Sequence, residues 1–157
     1  MMIDRQEKAQ EARRLFTEEG YNCSQSVAIA YAGEMGLTKE AVSRMMGGFG
    51  AGFGRMREVC GTVSGMTFVL GMLYGSENPK DREKKTALYE AVQEVGGRFR
   101  EQNGSLICRE LLSGCRVTGG AVPEERNTEA YKKRPCPLLA ADAAGYLADY
   151  INAHPLG

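Results

Sequence analysis

One segment of this 157-residue chain limits its fold more than any other. Gly61 to Tyr74 (GTVSGMTFVLGMLY) reads as a helix that is apolar nearly all round. A helix without a polar face must be covered on every side, by the rest of the chain or at a subunit interface. It does not read as a membrane span. The longest apolar run, Met66 to Tyr74, is interrupted by Gly71 and falls well short of the roughly 20 residues a bilayer requires. Gly61 and Gly65 lie one turn apart on one face and let another backbone come close.

The elements that must cover this helix are also helical, since alternating β-branched runs are absent. Asp4 to Glu19 carries the stripe Ala9, Ala12, Leu15 and Phe16, and Gly20 ends it. A second helix starts at Asn22 or Cys23, with Asn22 as cap, Gln25 at the capping-box position and Gly36 as its end. Val27, Ala28, Tyr31 and Met35 face inward. Thr38 caps a third helix, Lys39 to Met46. Gly47 to Gly54 (GGFGAGFG) is too rich in glycine for a helix and reads as a close-approach turn. After Asn78-Pro79-Lys80, Asp81 caps a helix to about Gln102, with Leu88, Ala91, Val92, Val95 and Phe99 inward. Ser105 is the expected cap of a short helix, Leu106 to Ser113. Gly119 to Arg134 reads as a long loop. Pro137 to Asn152 closes the chain with Leu139, Ala143, Leu147 and Ile151 at helical spacing. The expectation is an all-α, single-domain helical bundle of about six to seven helices over residues 1–157, a length that buries an ample core.

Twenty basic and twenty acidic residues leave no net charge. This argues against a general nucleic-acid binder, which needs basic excess on one face. The polar, charged stretch Met1 to Arg14 is neither signal peptide nor anchor, so the expected location is the cytoplasm, without membrane insertion. In a reducing compartment five cysteines point to metal binding, catalysis or inert packing rather than to disulfides. With His154 as the one histidine, a zinc site rich in histidine is excluded. CxxC and CxxCH are absent, which removes the thioredoxin dithiol, the zinc ribbon and c-type haem.

Four of the five cysteines fall at expected helix N-termini. Cys23 follows Asn22, Cys60 precedes Gly61, Cys108 is in the turn after Ser105, and Cys136 stands before Pro137. Free N–H groups and the positive end of the dipole lower a thiol pKa at such positions. Cys115 lies at a helix C-terminus, where the dipole acts the other way. Arg55 and Arg57 follow the glycine turn and are expected to be solvated. The turn itself has two readings: a tight helix crossing, or room for a cofactor or partner thiol to reach Cys60. The eight methionines are expected to fill core gaps, Tyr21, Tyr31, Tyr74 and Tyr89 to be core or interface aromatics, His154 to be exposed, and Asp142 and Asp149 to lie on a solvated face.

The order Asn22-Cys23, glycine turn, Cys60-Gly61-Thr62-Val63-Ser64-Gly65, Cys108-Arg109-Glu110-Leu111-Leu112, Cys136-Pro137 resembles the bacterial C_GCAxxG_C_C family of redox-active proteins, marked by four cysteines and a CGAxxG motif. Cys23, Cys60, Cys108 and Cys136 fall on the family positions, Cys115 does not, and Thr62 stands where the motif has alanine. The resemblance implies a helical fold with a redox or metal role. That family is similar in part to split-Soret cytochromes, which carry haem and an iron–sulfur cluster. Without a haem-attachment motif here, only the cluster is carried over.

Three functions compete. Cys23, Cys60, Cys108 and Cys136 can bind an iron–sulfur cluster or zinc for electron transfer, with Gly61 and Gly65 admitting the cofactor. Alternatively, Cys60 attacks a disulfide and Cys23, Cys108 or Cys136 resolves it, which makes Cys60 and Cys23 the first catalytic candidates and a redox protein or small thiol the partner. The third reading is a non-enzymatic homodimer joined through the apolar helix, with inert thiols. Whether the chain is an enzyme stays open at this level.

Overall fold

The computed structural model describes residues 2–156 and is all-α. Six helices have eight residues or more, joined by short helical turns: α1 (Arg5–Thr17), α2 (Cys23–Ala30), α3 (Ala32–Met35), α4 (Lys39–Met46), α5 (Gly50–Phe53), α6 (Gly61–Tyr74), α7 (Arg82–Asn103), α8 (Cys108–Leu111), α9 (Glu129–Lys132) and α10 (Cys136–Ala153). Extended pairing among the described residues amounts to an isolated antiparallel bridge, Val59 to Ile107. Among the described residues no helix is long and apolar enough to cross a membrane.

Local signals decide most helix ends. Asp4, Thr38 and Asp81 each accept a backbone N–H in the first turn. Asn22 and Gln25 form the reciprocal box, the Asn22 side chain accepting from Gln25 N–H and the Gln25 side chain from Asn22 N–H. The second helix is broken earlier than its Gly36 stop. α2 ends at Ala30, and α3 runs on to Gly36, which caps it in the left-handed conformation. Tyr31, fully buried at the break, donates its hydroxyl to Ala144 O at 2.6 Å.

Packing directions matter for the site. α1 runs antiparallel to α10: Ile3 N donates to Asn152 Oδ1 at one end, and Phe16 and Leu139 share a cavity wall at the other. α2 and α6 run parallel, with Cys23 against Gly61 and Val27 against Gly65. A Cβ on Gly65 would stand 2.9 Å from Ser24 O. α10 has the same sense, Cys136 lying level with Cys23 and Ala144 with Tyr31. Three long helices therefore point their N-termini at one end of the bundle. The core between them holds Val27, Met66, Val69, Leu70, Phe99, Ala140 and Leu147. The apolar α6 buries Gly61, Thr62, Val63, Gly65, Met66, Val69 and Leu70, while Thr67 is exposed and Met72 near its end is 48% exposed.

Two expectations about side chains are corrected. Met46 and Met66 fill the core, but Met2, Met45, Met56 and Met72 are exposed. Tyr89 is exposed as well, because it lies on the solvent face of α7.

Candidate metal centre

Each of the four cysteines begins a helix. Cys23, Cys108 and Cys136 are the first residues of α2, α8 and α10, and Cys60 is the cap residue of α6. All four line one cavity of about 310 Å³. Cys115, half-buried beyond α8, does not line it. All five thiols are free.

Different local devices hold each sulfur. Asn22, fixed by its capping box, also donates to Gly47 O at 3.1 Å and so anchors the glycine turn beside Cys23. Cys60 and Cys108 are joined through backbone: Cys60 N donates to Leu106 O at 2.8 Å and Cys108 N to Glu58 O at 2.6 Å. That pairing extends residues 106 and 107 and shortens the expected helix at its start. Ser105 is therefore not its cap. The Ser105 hydroxyl accepts from Ile107 N and donates to Glu110. Cys136 is placed by Pro137 at the second helical position, where the missing N–H costs nothing.

The glycine turn is more than a crossing. After the 3-10 turn Gly47–Phe49, residues 51–55 are all left-handed, and Arg57 follows at φ +61. Ala51, Phe53, Arg55 and Arg57 pay for this without being glycine, each at roughly 1 kcal/mol or more. Two positions in the turn require glycine: a Cβ at Gly52 would meet Glu58 N at 2.6 Å, and one at Gly50 would meet the fixed Asn22 side chain at 2.5 Å. The reversal aims the Ala51 N–H at the Cys23 sulfur and brings Arg55 and Arg57 into the cavity wall. Their side chains are 8% and 13% exposed, so the expectation of solvated charges is overturned.

The segment read as a long loop covers the cavity. Ala121, Pro123, Glu124, Arg126, Tyr131 and Arg134 all line it, and Thr128 caps the single turn α9 within it. Glu124 is the hub. Arg134 holds it through both terminal nitrogens at 2.6 and 2.7 Å, Arg57 donates at 3.2 Å, Thr118 N at 2.7 Å, and Arg55 stands 3.8 Å away. Arg126 lies over the Phe16 ring and donates to Phe16 O and Tyr21 O, tying the cover to the α1–α2 junction. These residues carry no motif. Their only trace in the sequence is the recurrence of arginine at 116, 126 and 134 around Glu124 and Glu125.

The Arg134 guanidinium, opposed by burial and helped by Thr118 N–H, holds the Glu124 carboxyl down at about 2. A carboxylate with a depressed pKa stabilises the fold fully above its unfolded value near 4.5 and loses that contribution as pH falls through about 2. Glu124→Gln is therefore expected to cost of order 1–2 kcal/mol at pH 7 after allowance for solvent screening. Urea melts of both proteins should converge between pH 4.5 and 2. A constant gap across that window would show that Glu124 acts through packing instead.

The thiols themselves correct a further expectation. Helix N-termini and N–H donors from Ala51, Ser24 and Thr62 favour the thiolates of Cys23 and Cys60, yet burial outweighs them. Burial raises the Cys23 and Cys136 pKa and, with the neighbouring Cys23, pushes Cys60 up to about 12. The Thr62 hydroxyl lies 3.1 Å from Cys60 Sγ, so the residue that departs from the CGAxxG motif acts directly on that sulfur. Gly61 lines the cavity and leaves the space that Cys23 Sγ fills, while Gly65 sits one turn deeper, against Ser24 and Val27. His154, exposed and stacked on Tyr150, takes no part. Asp149 pairs with Arg5 and Arg98 on the surface, and Asp142 is half-buried outside the cavity. Among the described residues no three of His, Cys, Asp and Glu stand close enough to hold one metal ion.

The model of the family described as "Putative redox-active protein (C_GCAxxG_C_C)" matches residues 21–150, from the residue before Asn22 to near the end of α10. No curated protein and no solved structure matches the chain. The chain belongs to the C_GCAxxG_C_C family.

Proposed function

Starting from that membership, we propose that this chain is an electron-transfer protein that holds an iron–sulfur cluster on Cys23, Cys60, Cys108 and Cys136. The observation that carries the proposal is the convergence of these four cysteines, from four separate helix starts, on one cavity that Cys115 does not line.

Three properties of the cavity support it. Four cysteines that line one cavity can each supply a thiolate to a separate iron of a polynuclear centre. Three parallel helices turn their positive ends toward it, and four guanidiniums with one carboxylate line it, a formal excess of three positive charges. The thiols of Cys23, Cys60 and Cys136, whose pKa burial raises, are compatible with ligation, which displaces the proton. When bound, the cluster supplies reversible one-electron chemistry. The chain's part is to bury it, counter its negative charge and present it to a redox partner, with the cytoplasm as the compartment.

Thiol–disulfide exchange is the second reading, favoured by the nearness of Cys23 to the start of α6. It requires Cys60 as a thiolate, and a pKa raised to about 12 keeps it protonated near neutral pH. Iron and acid-labile sulfide per protein, with a UV–visible spectrum on anaerobically purified material, test the proposal. Both elements with charge-transfer bands are expected. Zinc alone would replace the cluster by a closed tetrahedral site. A metal-free protein that forms a Cys23–Cys60 disulfide under mild oxidant would put the second reading in its place.

A further inference from the structure

Threonine hydroxyls inside the helices of this protein share one habit. Thr17, Thr67 and Thr86 each donate to the carbonyl four residues back, at 2.9, 2.9 and 2.7 Å. Thr62, the second residue of α6, does not. The carbonyl four residues before it is Glu58 O, which precedes the helix and already accepts Cys108 N at 2.6 Å. Among the described residues the Thr62 hydroxyl has one partner, Cys60 Sγ at 3.1 Å. Thr62 is fully buried, so solvent does not supply another. A buried hydroxyl is costly when left unpaired, which ties it to the sulfur. While Cys60 carries its proton, either atom of the pair can donate. A metal-bound cysteinate has no proton on sulfur, and there the hydroxyl is the only donor of the two.

We infer that the Thr62 hydroxyl donates to the Cys60 sulfur once that sulfur is a cluster ligand, and thereby raises the reduction potential of the cluster. This rests on the cluster reading above. Thr62 acts through Cys60 and is a positioning residue. Reduction adds one electron to the centre, and no covalent bond in the protein forms or breaks. The added electron makes the ligand sulfur a stronger acceptor, so the hydrogen bond favours the reduced form. Thr62→Val keeps the branched shape and the backbone N–H and removes only the hydroxyl. It is expected to disfavour reduction about tenfold, which is about 59 mV for a one-electron couple. Thr62→Ser keeps the hydroxyl and loses the methyl group, and its potential should stay within about threefold of the parent equilibrium. A packing role predicts the reverse, with serine shifting the potential and valine leaving it in place.

The experiment is a potentiometric titration of the loaded wild type, Thr62→Val and Thr62→Ser, followed optically, with iron and sulfide measured on each. Because the valine variant can fail to load, wild type and Thr62→Ser are also loaded and reduced in H2O and in D2O and examined by pulsed EPR. An exchangeable deuteron coupled to the reduced centre is expected in both, and a loaded Thr62→Val should lack it. A loaded Thr62→Val with an unchanged potential, or a reduced wild type without an exchangeable coupling, would overturn the inference and leave the cluster in place. A wild type that takes up neither iron nor sulfide would end the cluster reading, and this inference with it.

Discussion

Cys23→Ala, Cys60→Ala, Cys108→Ala and Cys136→Ala are each expected to lower the iron and sulfide retained after anaerobic gel filtration by tenfold or more, while Cys115→Ala retains the full complement. Loss of a group that merely orients a ligand costs roughly 10–100-fold in metal affinity, so loss of a ligand should cost at least as much. Stability of the metal-free protein distinguishes ligation from packing. Alanine leaves a void of one sulfur in a buried wall, which costs on the order of 1 kcal/mol. If the four thiols are inert core atoms, the variants will show that loss with unchanged metal content. If they are ligands, metal content collapses while the metal-free melts move only slightly. Cys115 is the internal control because it shares the chain and the redox conditions without lining the cavity.

Gly61→Ala carries the second large effect. Its Cβ would be driven into Cys23 Sγ, with Ser24 N at 3.1 Å and Phe49 O at 3.2 Å. Two of these three neighbours are backbone, so the start of α6 must move away from α2. The overpacking cost is about 1–3 kcal/mol, read from urea midpoints at constant m-value. The same movement displaces Cys60, so cluster content should fall as well. Gly96→Ala and Gly97→Ala serve as the contrast. Both glycines lie within α7, and a Cβ at either meets nothing within 4 Å. Alanine is the better helix former by about 0.8–1.0 kcal/mol, so these two variants should be more stable than the parent. A stabilised Gly61→Ala would show that α2 and α6 do not press together as described.

The contrast between these glycines also shows how far the sequence could be read. Gly61 and Gly65 one turn apart on an apolar helix announce a close backbone approach, because nothing else explains two residues so unfavourable to a helix. The partner, α2, is not announced. Gly96-Gly97 gives the same local signal and has no crossing behind it. The caps behave in the same way. Asn22 with Gln25, Thr38 and Asp81 were legible because a cap is a contract between residues three apart, whereas Ser105 was misread. A backbone pairing with residues 58–60 claimed its neighbourhood, and no local pattern encodes a pairing across that distance.

For the site, the four cysteines and their places at helix starts were legible in the order of residues, since a helix start is a local property. Their convergence was not, because it depends on α2, α6 and α10 running parallel, which only the packing of their apolar faces settles. Burial then decided the sign of the thiol shifts, since desolvation depends on everything around a sulfur and a dipole only on its own helix. The charged wall was the least legible part. Arg55 and Arg57 turn inward through left-handed backbone that their residue types disfavour. Glu124, Arg126 and Arg134 lie on a segment without periodicity, and their role arises from ion pairs that exist only once the chain has closed over the cavity.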